Sequence, residues 1–531
     1  MMKKIYLRVL ALMILFTAVS CQDLFEEFPE NPNVAGENDA VPPAFIFRQL
    51  LVNLASGADL AENQPLVGLL SRLNQFTTGL TFPLYGGSNQ YNWTDTGNSY
   101  PWLRNIIRLE KSAESALGKE KNGYLAISKF LRAYTFIWMT QRVGDIPMME
   151  AGKGLENLTP KFDSQEEVYA AALALLEEAN QELAAITADA TSARIDGDIF
   201  YNNDLRKWRK AVNSYKLRVL ISLSKRADDT PSLAIKQKFQ QVLEDPGQYP
   251  IFEGIDDNLN FFFIPVFNRY PTQFMMLYPN ETTVSETILE LMTKNEDPRT
   301  FIIATPTPFA MNAEGRSIDD FNAYNGADNS RAQNDLFAES QGPEGKYSYI
   351  NYIRYLQGPD VIPEPNILIG YSELCFNIAE AINRGWVSGN AEEWYLNGVN
   401  GSLEFYGISQ GSTVTVGDVN GVPYGDVTVD VDKFLENIAY KGNNQAGLEQ
   451  ILEQKYVAFW QNSGWEPFYQ YRRTGIPQFR EGEGTNAQRR IPRRWQYPVR
   501  EVDNNRENAI QAIQRQFGGN DDIFADMWLL R

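Results

Sequence analysis

Between Ile106 and Trp138 the apolar residues return at intervals of three and four, and only an α-helix turns that period into a continuous face. Ile106, Leu109, Ala113 and Leu117 make one stripe. Tyr124, Ile127, Leu131, Tyr134 and Trp138 make another, with Gly118 to Gly123 as the break between them. A connection that short folds the two helices back to back, and Gly144 followed by Pro147 ends the second. Ser164 with Glu167 reads as a capping box opening a third helix along Val168, Ala172, Leu175, Ala179, Leu183 and Ile186. A fourth stripe runs through Trp208, Val212, Tyr215, Val219 and Leu223, with Lys and Arg on the opposite face. Further helices are expected over Glu373 to Asn383, Ala391 to Phe405 and Leu448 to Asn462. From Thr413 to Val431 the period changes to two, with Val414, Val416, Val427, Val429 and Val431 alternating with polar residues around Asn420-Gly421, which predicts a surface β-hairpin. The fold class is therefore mostly α: paired helices that look like tetratricopeptide-type packing, divergent units within one fold because no clean repeat period stands in the sequence, with one small hairpin.

The N-terminus has a different character. Lys3, Lys4 and Arg8 precede the apolar run Val9 to Val19, and Ala18-Val19-Ser20 leads into Cys21, the pattern of a cleaved export signal. As a helix that run reaches only about 16 Å, short of the roughly 30 Å of bilayer hydrocarbon. Cys21 after small residues resembles a lipobox, in which the thiol is acylated, although Ala18 stands where Leu is usual. Residues 1–20 are read as signal peptide and 21–43 as a lipidated tether punctuated by Pro29, Pro32, Gly36, Pro42 and Pro43. Residues 44–531 are read as a single helical binding domain. With Cys21 lipidated, Cys375 has no partner, so the core alone must hold the fold, and Leu374-Cys375-Phe376 places that thiol as a small buried hydrophobe.

Composition excludes several function classes. Loss of the signal removes three cations and leaves 45 Lys and Arg against 67 Asp and Glu, a net −22, which repels nucleic acid. The chain has no histidine, so triads, Cys-His pairs and HExxH zinc sites are out of reach. Neither a dinucleotide fingerprint nor a P-loop is present. No cofactor and no metal ligand set is expected, and no catalytic residue is assigned.

Short motifs spread along most of the chain resemble, in order, the SusD/RagB family of nutrient-binding outer membrane lipoproteins, and its SusD-like branch in particular. They are Val143-Gly144-Asp145-Ile146-Pro147-Met148; Lys207-Trp208-Arg209 through Tyr215-Lys216-Leu217-Arg218; Asn295-Glu296-Asp297-Pro298-Arg299; Ser372-Glu373-Leu374 through Ala379-Glu380-Ala381 into Arg384-Gly385-Trp386; Gln454-Lys455-Tyr456; Tyr471-Arg472-Arg473-Thr474-Gly475; and Ile491-Pro492-Arg493-Arg494 with Tyr497-Pro498 and Glu501. The acidic residues just behind Cys21 are similar to surface-export signals of Bacteroidetes lipoproteins. The resemblance implies a helical superhelix anchored by lipid at the cell surface, acting as a lid over a SusC-like TonB-dependent transporter and delivering glycans, or in some branches peptides, without catalysis.

A glycan site needs flat rings to stack on the CH faces of sugars and amides, carboxylates or guanidinium groups for their hydroxyls. With 30 Phe, 26 Tyr and 10 Trp, rings on helical seams carry no information, and rings on polar loops do. The turn-rich segment Tyr85 to Tyr100 offers Tyr91 and Trp93 for stacking beside Asn89, Gln90 and Asp95. Phe267-Asn268-Arg269-Tyr270 follows Phe261-Phe262-Phe263; the triple Phe is expected to be buried, and Arg269 and Tyr270 exposed. Tyr324 in Phe321 to Gly326 is the third candidate, and Trp208 and Trp386 are read as core. The arginines 472, 473, 489, 490, 493 and 494 are expected to bridge the excess carboxylates, with a transporter-facing or anion-binding surface as the alternative. Two other classes remain: a helical glycoside hydrolase, which needs only two carboxylates, and a scaffold that binds protein alone.

Overall fold

A computed structural model describes residues 41–56, 69–80, 100–189, 195–267, 270, 279–355, 362, 364–418, 420–485 and 488–531. Its long helices are α1 (Pro43–Ser56), α2 (Tyr100–Leu117), α3 (Gly123–Val143), α4 (Gln165–Thr187), α5 (Leu205–Ser222), α6 (Tyr371–Asn383), α7 (Ala391–Phe405), α8 (Gln445–Ala458), α9 (Glu466–Thr474) and α10 (Arg506–Phe517). Strands are few and short: β1 (Thr77–Gly79) with β3 (Thr282–Val284), β2 (Leu259–Phe261) with β4 (Asn366–Ile369), and β5 (Thr413–Gly417) with β6 (Pro423–Thr428), all antiparallel. The chain is thus a helical superhelix. α2 packs on α3, α3 on α4, α4 on α5, α5 on α6 and α6 on α7, each helix burying the stripe that its period lays out.

Local chemistry sets the ends of these helices. Asn122 caps α3 by accepting from Tyr124 N at 3.1 Å, and its amide donates back to Ala113 O and Gly118 O, which fastens the end of α2 to the start of α3. α3 ends at Gly144, whose φ of +95° favours glycine and where a Cβ would lie 2.0 Å from Gln516 Oε1. Ser164 and Glu167 form the expected capping box at α4. At α5, Asp198 accepts from Trp208 Nε1 at 2.9 Å and from the backbone of Phe200, Tyr201 and Asn203, so a fully buried tryptophan is fixed by the turn that leads into its helix. Trp386 and Cys375 are buried as well, and desolvation pushes the Cys375 thiol up to about 12.

Two boundaries differ from the sequence reading. α8 starts earlier, where Asn444 accepts from Ala446 N and Gly447 N, and stops at Ala458, because Gln461 and Ser463 take positive φ and turn the chain. The hairpin pairs Val414 with Val427 across a turn in which Gly421 has φ +75°, but its second strand ends at Thr428; Asp430 caps a helix from Val431, which places Val431 in that helix.

The core holds charge as well as rings. On α6, Glu373, Asn377 and Glu380 lie four and three residues apart on one buried stripe. Arg218 of α5 forks onto Glu373, with Nε donating to Oε1 at 2.6 Å; Lys455 of α8 donates to Asn377 Oδ1 at 2.6 Å; and Arg473 of α9 forks onto Glu380, with Nη2 donating to Oε2 at 2.8 Å. Burial alone would raise the Glu380 carboxyl, yet the Arg473, Arg384 and Lys455 cations hold it down at about 2.

Ser164→Ala should cost about 1 kcal/mol in urea unfolding, the usual worth of an N-cap. Glu380→Gln should cost more, about 3–5 kcal/mol, because it leaves Arg473 buried without its counter-charge. Since the folded carboxyl sits below its ordinary value of 4.5, its contribution is complete above that pH and is lost as pH falls towards about 2. An acid titration of stability should therefore be flatter in Glu380→Gln than in the wild type over that window.

Candidate functional site

β1 and β3 form the seat of the irregular face. Their register pairs Thr77 with Val284 and Gly79 with Thr282, and Leu80 N donates to Glu281 O at 2.9 Å. The chain therefore leaves β1 at the same edge where it enters β3. The turn carrying Tyr324 is fixed to the same strands: Glu286 N donates to Ala327 O, Thr78 Oγ1 donates to Ala327 O, and Gly326 lies so close that a Cβ would sit 2.3 Å from Glu286 N. The Tyr324 turn is thus fixed to this small sheet, whereas Phe267 and Tyr270 follow β2, which pairs with β4.

Tyr91, Trp93, Asn89, Asp95 and Arg269 lie outside the described residues. Cys21, the predicted lipidation site, does too. Tyr270 and Tyr324 are described, and both are buried. Tyr270 is 3% exposed, with its ring edge-on to Phe263 at 5.0 Å, and its phenol is pushed well up by desolvation, with the carboxylate of Glu364 adding to the rise. Tyr324 packs on Phe301 at 5.6 Å and donates its hydroxyl to Ile318 O at 2.6 Å. The expectation that Tyr270 stands clear is corrected: the strand period turns Phe261 and Phe263 inward, and the returning chain lays Tyr270 on Phe263. The same period overturns the burial expected for the whole triple Phe, because Phe262 points outward.

Beneath this region is a polar floor. Glu364 accepts from Arg354 Nη2 at 3.0 Å and from Tyr355 Oη at 3.3 Å, and Tyr355 Oη in turn accepts from Trp460 Nε1 at 3.1 Å. Desolvation raises the Glu364 carboxyl and Arg354 partly offsets it, and the hydrogen bonds to Arg354 and Tyr355 make it a brace for the helical turn Tyr352–Tyr355.

Above the floor, the segment after β2 displays apolar side chains. Phe262, Ile264, Val266 and Phe267 are all exposed, and Phe267, at 89%, is the most exposed aromatic ring among the described residues. Phe267 N donates to Pro265 O at 2.9 Å around Val266, whose φ is +72°. That is a three-residue γ-turn in its strained form, and a β-branched residue is a poor fit for it. Held strain of this kind collects where function sets the backbone. Sequence reasoning put its weight on Arg269 and Tyr270 and missed Phe262 and Phe267; alternation along Phe261-Phe262-Phe263 was the signal that could have found Phe262.

The arginine cluster is mostly internal bracing. Arg473 pairs with Glu380, Arg493 with Asp526, Arg494 with Asp521 and, more loosely at 3.9 Å, Arg489 with Glu483. Arg490 lies over the Phe524 ring, and Arg472 grips backbone carbonyls. Among the described residues no group of three or more Asp, Glu or Cys side chains could hold a metal ion.

A helical superhelix with irregular loops among short two-stranded sheets defines the architecture, and comparison with known proteins gives the class. A family profile described as starch-binding and associating with the outer membrane matches residues 37–498. A SusD homologue from Bacteroides fragilis is 31% identical with a TM-score of 0.73, covering 92% of this chain and 99% of its own. An outer membrane protein of Bacteroides vulgatus, associated with nutrient binding, is 28% identical with a TM-score of 0.74, covering 92% and 100%. A chitin-binding protein shares the fold at 22% identity and a TM-score of 0.70, with coverage of 92% and 100%. No curated protein matches. The chain belongs to the SusD-like family of nutrient-binding outer membrane proteins.

Proposed function

We propose that this protein is a lipid-anchored lipoprotein of the cell surface that captures an oligosaccharide on the face carried by the β1–β3 and β2–β4 pairs and passes it to a SusC-like TonB-dependent transporter, catalysing nothing itself. The observation that carries this reading is the outward display of Phe262 and Phe267 on a strained turn, in a protein whose other large rings are mostly committed to the core. A sugar ring laid on such a face gains apolar contact while its hydroxyls stay wet. Tyr91 and Trp93 are proposed as the second stacking surface, with Asn89, Asp95 and Arg269 supplying hydrogen bonds to the hydroxyl rim. Tyr270 and Tyr324 are proposed to hold those loops from beneath.

Lipid at Cys21 would keep the binding face within tether reach of the transporter, and among the described residues no helix is long and apolar enough to cross a membrane. A second reading, a peptide ligand, draws on Ile264 and Val266, which stand exposed beside the rings and would take apolar side chains.

Isothermal titration with malto-, xylo- and chito-oligosaccharides and with mixed oligopeptides separates the two readings. Phe267→Ala and Trp93→Ala should each weaken binding of the effective ligand by about tenfold while far-UV circular dichroism stays unchanged. Unaltered affinity in both variants, or turnover of a polysaccharide by the purified protein, would defeat the proposal. Cys21→Ala should move the protein from the membrane fraction to the soluble fraction and abolish labelling with a fatty-acid analogue; a variant that stays in the membrane would exclude the lipid anchor.

A further inference from the structure

Between α3, α5, α8 and α9 lies a small, partly open cavity of about 20 Å³ whose lining includes Gln141, Arg218, Lys455, Glu466, Gln470 and Arg472. Its interior widens only enough for a guest the size of water or a halide ion. The charges around it do not balance. Arg218 is paired with Glu373, and Arg473 with Glu380. Lys455, Arg472 and Glu466 are left over, two cations against one carboxylate.

Arg472 is the more exacting of the two cations. It is 2% exposed, its Nη1 donates to Arg493 O and its Nη2 to Gln141 O, both at 2.8 Å, and its Nε is buried with no hydrogen-bond partner. Among the described residues no carboxylate lies within ion-pair distance of it. Arg142 is 1% exposed and in the same condition: Nη1 donates to Trp138 O at 3.1 Å, the guanidinium lies 3.3 Å over the Trp138 ring, and Nε has no partner. Carbonyls and rings offer only partial charge, whereas a buried cation without a full counter-charge is strongly unfavourable. The electrostatics agree: burial first, then Arg493 and Arg142, pull Arg472 down to about 10, and burial pulls Lys455 down to about 8. Burial raises the Glu466 carboxyl, and Arg218 and Lys455 partly offset it; with Glu380, Glu373 and Glu466 all acting on Lys455, the cation left without a carboxylate is Arg472.

We propose that this cavity is an anion site, in which a halide-sized inorganic anion is held by Arg472 Nε, with Lys455 Nζ on the same lining, and supplies the counter-charge that buried Arg472 lacks. Lys455 has donors to spare, since Asn377 takes only one of its three. Gln470 Oε1, a buried acceptor without a partner on the same wall, would be satisfied by water bound beside the anion. The anion would tie α9 to α3 and α8 from the inside, so the stability of the helical body becomes linked to halide.

The test uses sodium bromide against sodium methanesulfonate at fixed ionic strength. In the full-length protein the unfolding midpoint should rise by about 1 °C for each tenfold increase in bromide above its dissociation constant, as the unfolding entropy of a chain this long dictates. Bromide-soaked crystals should show an anomalous peak in the cavity. Arg472→Met, which keeps the volume and removes the charge, should lose the bromide dependence; if that variant does not fold, Lys455→Met is read in the same way. A midpoint indifferent to bromide, or anomalous peaks confined to the outer surface, would overturn the proposal.

Discussion

The helical pairs become one body through the buried stripe of α6. Glu373, Asn377 and Glu380 point the same way, and each takes a cation from a different helix: Arg218 of α5, Lys455 of α8 and Arg473 of α9. Apolar seams alone would hold those helices together but would tolerate a slide of one turn, since leucines and alanines recur along every face. Forked guanidinium–carboxylate bonds do not tolerate it, because a shift of one turn is about 5.4 Å and leaves an ion buried without a partner. Replacing such pairs with apolar residues often leaves stability unchanged, so what they supply here is register.

Register matters because the loop face inherits it. β4 leads directly into α6 and pairs with β2, whose end carries Phe262 and, five residues on, Phe267. Asn258 Oδ1 accepts from Tyr371 N at 2.6 Å, so the first residue of α6 is fastened to the turn just ahead of β2. A displacement of α6 would be passed to both exposed rings. On the other flank, Tyr456 of α8 donates to Asn74 O and Gln75 O, and Phe76 packs on Tyr456 and Trp460 immediately before β1. The charged stripe thereby positions both roots of the irregular face.

Most of this scaffold was legible in the sequence. Periodicity gave the helices because a helix with one buried face must repeat its apolar residues, and Ser164 with Glu167 could be read as a cap because that chemistry is local. The end of α8 was misjudged because Phe459 and Trp460 continue the apolar pattern, while the positive φ values at Gln461 and Ser463 that stop the helix come from tertiary contacts: Ser463 N donates to Ile367 O, and Asn462 accepts from Ile367 N. The site was less legible for the same reason. Loop polarity says that a ring has no helical seam to join, but not whether a neighbouring ring will cover it, and Tyr270 is covered by Phe263 across a turn that no local rule predicts. Tyr324 is covered likewise, by Phe301 on a separate helical turn.

The use of arginine links interior to exterior. Arg142, Arg218, Arg299, Arg472, Arg473 and Arg494 are all buried, so their charges are withdrawn from the surface of a chain already rich in carboxylates. Among the described residues seven carboxylates, Asp145, Asp198, Asp257, Asp297, Glu364, Glu373 and Glu380, are buried as well, so the exterior keeps nearly the net acidity that the composition gives. At physiological salt that field fades within about 8 Å, so it cannot steer cargo from afar, but it does penalise an anionic polymer pressed against the protein. Stacking on Phe262 and Phe267 is indifferent to charge and suits a neutral ring. A surface that repels anions and offers flat apolar faces is one that a neutral ring can approach without opposition, which is the chemistry of the saccharide proposed above.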